Sequence, residues 1–215
     1  MCKQVILDIE QAKIIVIMRG VAREKLIPTV QAMYEGGIRV VECTYDASGK
    51  TSDEEIAANI EMLATHFAGK MRIGAGTVLT EKQVELTRRA GGAFIISPDT
   101  NPEVIRACKA AGLVSIPGAI TPTEVRAAHL AGADFVKLFP VDLYGPKYIK
   151  TLKAPLSNVR LLAVNGITKE NMGEYLAAGA VGVGVGSGIV NKAMIEAGDF
   201  AGITALAKGY TALLA

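Results

Sequence analysis

A chain of 215 residues has the length of one compact domain or a lean α/β barrel. Half of the residues are hydrophobic and 20% are charged, which suits a large buried core and excludes a disordered chain. The net charge is +2, from 23 basic and 21 acidic residues; with no long basic run, no Trp and 5% aromatics, nucleic acid is excluded as a partner. No apolar run approaches the roughly 20 residues of a membrane span, and the longest candidate, 181–190, is broken by glycines. Residues 1–10 lack the apolar stretch of an export signal, so the expected compartment is the cytoplasm, with no membrane partner. Cys2, Cys43 and Cys108 are odd in number and far apart, and form neither a disulfide framework nor a zinc motif.

Taken in chain order, short runs of Val, Ile and Phe alternate with helical stretches. Strands are predicted near 14–18, 38–42, 71–74, 93–96, 113–116, 134–138, 160–164 and 181–185. Helices are predicted near 22–35, 53–67, 80–90, 102–111, 122–131, 146–153 and 168–178, with a closing helix over 200–214. Thr80, Thr121-Pro122 and Thr168 open helices with capping chemistry. Glycines such as Gly92, Gly112 and Gly132 follow helix ends, where a left-handed residue stops the turn. The apolar runs lack strict alternation, as strands buried on both faces do. Eight alternating units without an interior linker predict a single (β/α)8 barrel domain over 1–215; an open doubly wound sheet is the second architecture.

Barrel active sites lie at the C-terminal ends of the strands. The candidates predicted there are Arg19, Glu42, Thr77 after Gly74-Ala-Gly76, Ser97-Pro98, Pro117-Gly118, Lys137, Asn165-Gly166 and Gly186-Ser187-Gly188. Lys137 interrupts the apolar run Phe135-Val-Lys-Leu-Phe139. It is either an ion-paired structural lysine or an amine whose burial keeps it nucleophilic for carbonyl addition. Glu42 ends another apolar run, either as a structural partner of Lys137 or Arg19 or as a general acid–base. The glycines at 166, 186 and 188 either pack tightly or cradle a phosphate with backbone N–H groups. His66 and His129 fall in predicted helices and read as surface or packing residues; no cluster has metal-ligand spacing.

Six segments carry a resemblance to a known family: 37–44 (GIRVVECT), 73–78 (IGAGTV), 96–98 (ISP), 116–118 (IPG), 121–124 (TPTE) and 136–140 (VKLFP). In this order and spacing they resemble the bacterial 2-keto-3-deoxy-6-phosphogluconate / 2-keto-4-hydroxyglutarate (KDPG/KHG) aldolases over nearly the whole chain. The resemblance implies a class I aldolase that needs no metal or other cofactor and assembles as a homotrimer. It implies that Lys137 forms the Schiff base with a small keto-acid substrate and that Glu42 shuttles protons. It also implies that Thr77, Pro98 and Phe139 line the substrate pocket, with Gly166, Gly186 and Ser187 at the phosphate end.

Three departures from the family pattern bear on the substrate. Where many members have Leu-Arg, with the arginine gripping the keto-acid carboxylate, this chain has Tyr45-Asp46. Arg19 is the expected substitute, and Lys50 is another cation nearby in sequence. Val164 and Asn165 replace a threonine and a phosphate-loop glycine, and the Asn165 amide is a candidate anion donor. Met18-Arg19-Gly20 resembles the galactonate branch of the family, which is the alternative substrate. Two other readings stand beside the aldolase: a phosphate-binding epimerase or isomerase, and a non-catalytic ligand-binding barrel.

Overall fold

Along a buried parallel strand successive side chains point to opposite faces, so an apolar run can serve two cores at once. The computed structural model, which describes residues 2–214, uses both. In the first half of the chain lie α1 (Cys2–Ala12), β1 (Ile14–Met18), α2 (Arg23–Glu35), β2 (Val40–Thr44), α3 (Asp53–His66), β3 (Arg72–Gly76), α4 (Glu81–Arg89), β4 (Phe94–Ile96) and α5 (Pro102–Ala110). There follow β5 (Val114–Ile116), β6 (Gly118–Ala119), α6 (Pro122–Leu130), β7 (Val136–Leu138), α7 (Pro146–Lys153), β8 (Leu161–Val164), α8 (Met172–Ala177), β9 (Gly182–Val185), α9 (Lys192–Ala197) and α10 (Phe200–Thr211).

All pairings are parallel, in the order β5-β4-β3-β2-β1-β9-β8-β7-β6. The two outer members of that order are consecutive in the chain. β5 and β6 are halves of one barrel strand, separated by Pro117, which has no N–H to give to a ladder. The first half pairs with β4 and the second with β7, while the Pro117 carbonyl accepts from the Lys137 N–H at 2.9 Å. The ring therefore closes through the chain itself, and the open doubly wound sheet is set aside. The fold is a single (β/α)8-type barrel.

Strand parity sorts the core. Ile15, Val40, Phe94, Ile96, Val114, Ile116, Phe135 and Leu162 form a cluster inside the barrel. Their strand neighbours, such as Ile14, Val41, Ile95, Val136 and Leu161, belong to the larger layer between strands and helices.

The predicted helices are present, and Thr80 and Thr121 are capping boxes with Gln83 and Glu124. Three features differ from expectation. Residues 2–12 form α1, which no apolar run announces: its Val5 and Ile9 gain burial only by packing against the barrel interior. Ion pairs Arg72–Asp8 and Arg160–Glu10, both at 2.6 Å, hold α1 to β3 and to the segment before β8. Secondly, α8 begins at Met172, because the Asn171 side chain accepts from the Thr168 N–H at 2.8 Å and holds 168–171 as a turn. Thirdly, α9 is an added six-residue helix between β9 and α10. The closing helix docks on α2 through Thr204 Oγ1 to the Ala32 carbonyl (3.0 Å) and Thr211 Oγ1 to the Gly36 carbonyl (2.8 Å). Among the described residues no helix is long and apolar enough to cross a membrane.

Candidate active site

The period of two that buries Phe135 inside the barrel aims Lys137 the same way, one step nearer the C-terminal mouth. Val40 and Glu42 stand in the same relation on β2. Both charged side chains thus enter the top of an apolar shaft walled by Ile17, Ile96, Ile116 and Leu162. Above it opens a cavity of about 510 Å³. Arg19, Glu42, Thr77 and Pro98 line it from β1 to β4, and Lys137 and Phe139 from β7. Gly166, Gly186 and Ser187 line it from the loops after β8 and β9. Arg19, Glu42, Thr77, Pro98, Lys137, Phe139, Gly166, Gly186 and Ser187 thus share one space, whereas Ser97, also marked at a strand end, does not line it. Ile17, Thr168 and Tyr210 line it too, and the sequence marked none of them: Thr168 read as a helix cap and Tyr210 as part of the closing helix.

Glu42 is 2% exposed and Lys137 9% exposed. The ion pairs of the described residues include neither of them, nor Arg19, so no direct ion pair joins these charges. Burial raises the Glu42 carboxyl to about 7, opposed by the positive charges of Lys137 and Arg19. Burial likewise lowers the Lys137 amine; the Glu42 charge opposes this shift and Arg19 reinforces it. The ammonium end of Lys137 lies 4.6 Å from the centre of the Phe139 ring. One Glu42 oxygen has no hydrogen-bond partner among the described residues. Gly76 explains how the carboxyl fits: a methyl group there would overlap it. The glycines before Thr77 therefore do more than turn the chain, since Gly74 makes room for the Phe94 ring in the same way.

Arg19 is exposed at the rim and donates to Thr77 Oγ1 at 2.9 Å. Thr77 has φ +55°, a left-handed conformation that a β-branched residue adopts at a cost of about 1–3 kcal/mol. That backbone turns the hydroxyl toward the arginine. Tyr45 and Asp46 face a neighbouring cavity of about 420 Å³, whose wall Arg19 shares. The Tyr45 ring is buried with its hydroxyl 3.0 Å from that of Thr87. Asp46 caps a turn instead, accepting from the Ser48 N–H, the Ser48 hydroxyl and the Thr51 N–H, which lower its carboxyl to about 2. Lys50 does not line the larger cavity that holds Lys137.

On the β8–β9 side the backbone N–H groups of Gly166, Gly186, Ser187 and Gly188 donate to no oxygen among the described residues. They are a set of spare donors for an anion. Asn165 takes φ +88°, and its amide donates at 2.7 Å to Asp142. One of the two amide protons is thus used to hold the loop, while Asn165 lines the cavity. Gly166, at φ +67°, packs on Asp142 where any side chain would collide. Val164 presents methyl groups to the cavity. His66 is exposed and His129 lies beside Asn158, both outside the cavity. Among the described residues no group of three or more His, Cys, Asp or Glu side chains could hold a metal ion.

The fit of Glu42 against Gly76 is open to a stability measurement. Gly76→Ala is expected to destabilise the fold by about 1–3 kcal/mol, the usual cost of overpacking, in urea denaturation. Gly173→Ala, where an added Cβ meets nothing within 4 Å, serves as the comparison and should cost nothing. Equal stabilities would mean that the carboxyl has another place to sit.

Comparison with known proteins shows the family and agrees with the fold. The family profile of the KDPG and KHG aldolases matches residues 5–206. The chain is 36% identical over 175 residues to the 2-dehydro-3-deoxy-6-phosphogalactonate aldolase of Escherichia coli K12, covering 81% of this chain and 82% of that one. It is 34% identical to the 2-dehydro-3-deoxy-phosphogluconate aldolase of Treponema pallidum, over 93% of this chain and 92% of that one. The crystal structure of KDPG aldolase from Legionella pneumophila, with pyruvate captured as a covalent carbinolamine, superposes with a TM-score of 0.86 at 27% identity, covering 95% and 97% of the two chains. These matches set aside the epimerase and the non-catalytic barrel. The chain belongs to the KDPG and KHG aldolase family and is a carbon–carbon lyase.

Proposed function

We propose that this aldolase cleaves a 2-keto-3-deoxy-6-phospho sugar acid, or 2-keto-4-hydroxyglutarate, to pyruvate and an aldehyde, with Lys137 as the Schiff-base nucleophile and Glu42 as the proton carrier. For the phosphorylated substrate the aldehyde is glyceraldehyde 3-phosphate. The observation that carries this reading is the pair itself: an amine held below its ordinary pKa and a carboxyl raised to about 7, in one cavity. The amine adds to the C2 carbonyl, and loss of water leaves an iminium. Glu42, or a water it positions, removes the proton of the C4 hydroxyl, and the C3–C4 bond breaks to release the aldehyde. The bonding electrons pass into an enamine; protonation at C3 and hydrolysis then free pyruvate and the amine. In this scheme Arg19, steadied by Thr77, holds the keto-acid carboxylate, Pro98 and Phe139 flank the chain, and Gly166, Gly186 and Ser187 hold the far phosphate.

Pyruvate with borohydride is expected to add a reduced pyruvyl group to Lys137, located by peptide mass spectrometry. An adduct on another residue, or none, sinks the mechanism. As a base Glu42 works deprotonated, so kcat/KM should fall as pH drops through about 7. Glu42→Gln should remove that limb along with most of the turnover, by about 10²-fold or more; an unmoved limb would assign it to another group.

The galactonate epimer is the second reading. It is favoured by a cavity in which Arg19 replaces the arginine missing at Asp46, and by the Escherichia coli relative. Pyruvate release from the two C4 epimers decides it: a preference of about tenfold or more for the galactonate form supports this branch, and the opposite preference rejects it. We also infer a homotrimer acting in the cytoplasm; a monomer's mass in light scattering would overturn the trimer.

A further inference from the structure

Tyr210 reaches the cavity from the closing helix, far from any strand end, and is 3% exposed. Its place is not loose packing. The hydrogen bonds from Thr204 and Thr211 clamp α10 onto α2 on either side of it in sequence. Its hydroxyl lies directly against Gly188, where a methyl group would overlap it. Gly188 has no left-handed φ, so the conformation does not call for glycine there; the phenol does. The Lys169 backbone N–H favours the charged phenolate, and a backbone N–H can only donate, which leaves the phenol O–H proton to be given. Beside it are the spare N–H groups of Gly186, Ser187 and Gly188.

We propose that Tyr210 is a binding residue for the anionic far end of the substrate, donating its phenol proton to a terminal phosphate alongside the backbone donors of 186–188. This rests on the reading above that the substrate carries such a group. The phenol keeps its proton over the working range, because burial and the nearby Glu170 raise its pKa. Four donors then converge where a neutral hydroxyl end would leave them unmet, so the residue discriminates for a phosphorylated substrate.

Tyr210→Phe removes the proton and keeps the ring. Inorganic phosphate, titrated by calorimetry, is expected to bind this variant about tenfold or more weakly than the unmodified protein, the loss of one hydrogen bond to a charged group. Tyr34→Phe, whose ring packs under Arg39 away from the cavity, should bind phosphate unchanged. Through KM rather than kcat, Tyr210→Phe should also reduce the preference for the phosphorylated over the unphosphorylated sugar acid. Equal phosphate affinity in Tyr210→Phe, or no phosphate binding by the unmodified protein, overturns the proposal. So does a lowered melting temperature with phosphate affinity intact, which would make Tyr210 structural. Phosphate binding that depends on Tyr210, in a protein that forms no pyruvate adduct, would uphold this site and reject the aldol mechanism.

Discussion

Placing Glu42 and Lys137 inside an apolar barrel without a direct ion pair is the demand that the surrounding structure has to meet. Each charge loses its water there, and an unpaired buried ion is costly. Both groups respond by shifting toward their neutral forms, the carboxyl upward and the amine downward. Neither could relax away from the other, because each projects from a strand fixed on both sides by parallel pairing. Gly76 keeps open the space that the carboxyl fills. The break at Pro117 lets one barrel strand bind β4 with one half and β7 with the other, which holds the strand of Lys137 in the ring. The shifts that the proposed chemistry would use are thus consequences of the closed architecture.

Around that pair the cavity is divided by chemistry. The β1–β3 side offers one exposed guanidinium, tied to a hydroxyl on a strained backbone. The β8–β9 side offers backbone N–H groups and carries no cationic side chain into the cavity. The departures from the family pattern take sense from this division. Asp46 is not a failed carboxylate site: it is turned into its own loop, where three hydrogen bonds occupy it. Asn165 accepts the left-handed conformation that the loop demands, as Asn does more readily than most residues, and Asp142 secures it. Val164 makes the cavity wall apolar at its position.

Charges such as Lys137 and Glu42 were conspicuous in the sequence because they stood in or ended runs of Val, Ile and Phe at predicted strand ends; that they share a face with buried neighbours came from the strand parity of the structure. Strand ends could be read in the same way, which brought Arg19, Thr77, Pro98 and the glycine loops to one mouth. Helix α1 was not legible, since its two buried residues, Val5 and Ile9, make an apolar stripe too thin to stand out among charged neighbours. Its burial exists only once a barrel end is present to be covered. Tyr210 was invisible for a related reason: in a closing helix an aromatic residue reads as core.

What the sequence by itself determined, then, is local and periodic: the alternation of strands and helices, their caps, and which polar residues must sit at strand ends. What only the tertiary structure decided is what those residues touch. Closure at Pro117, the fit of Glu42 against Gly76, the anchoring of Asn165 on Asp142 and the arrival of Tyr210 all join segments distant in the chain. Distances of that kind follow from how helices and strands pack around the ring, and no pattern within a single segment encodes them.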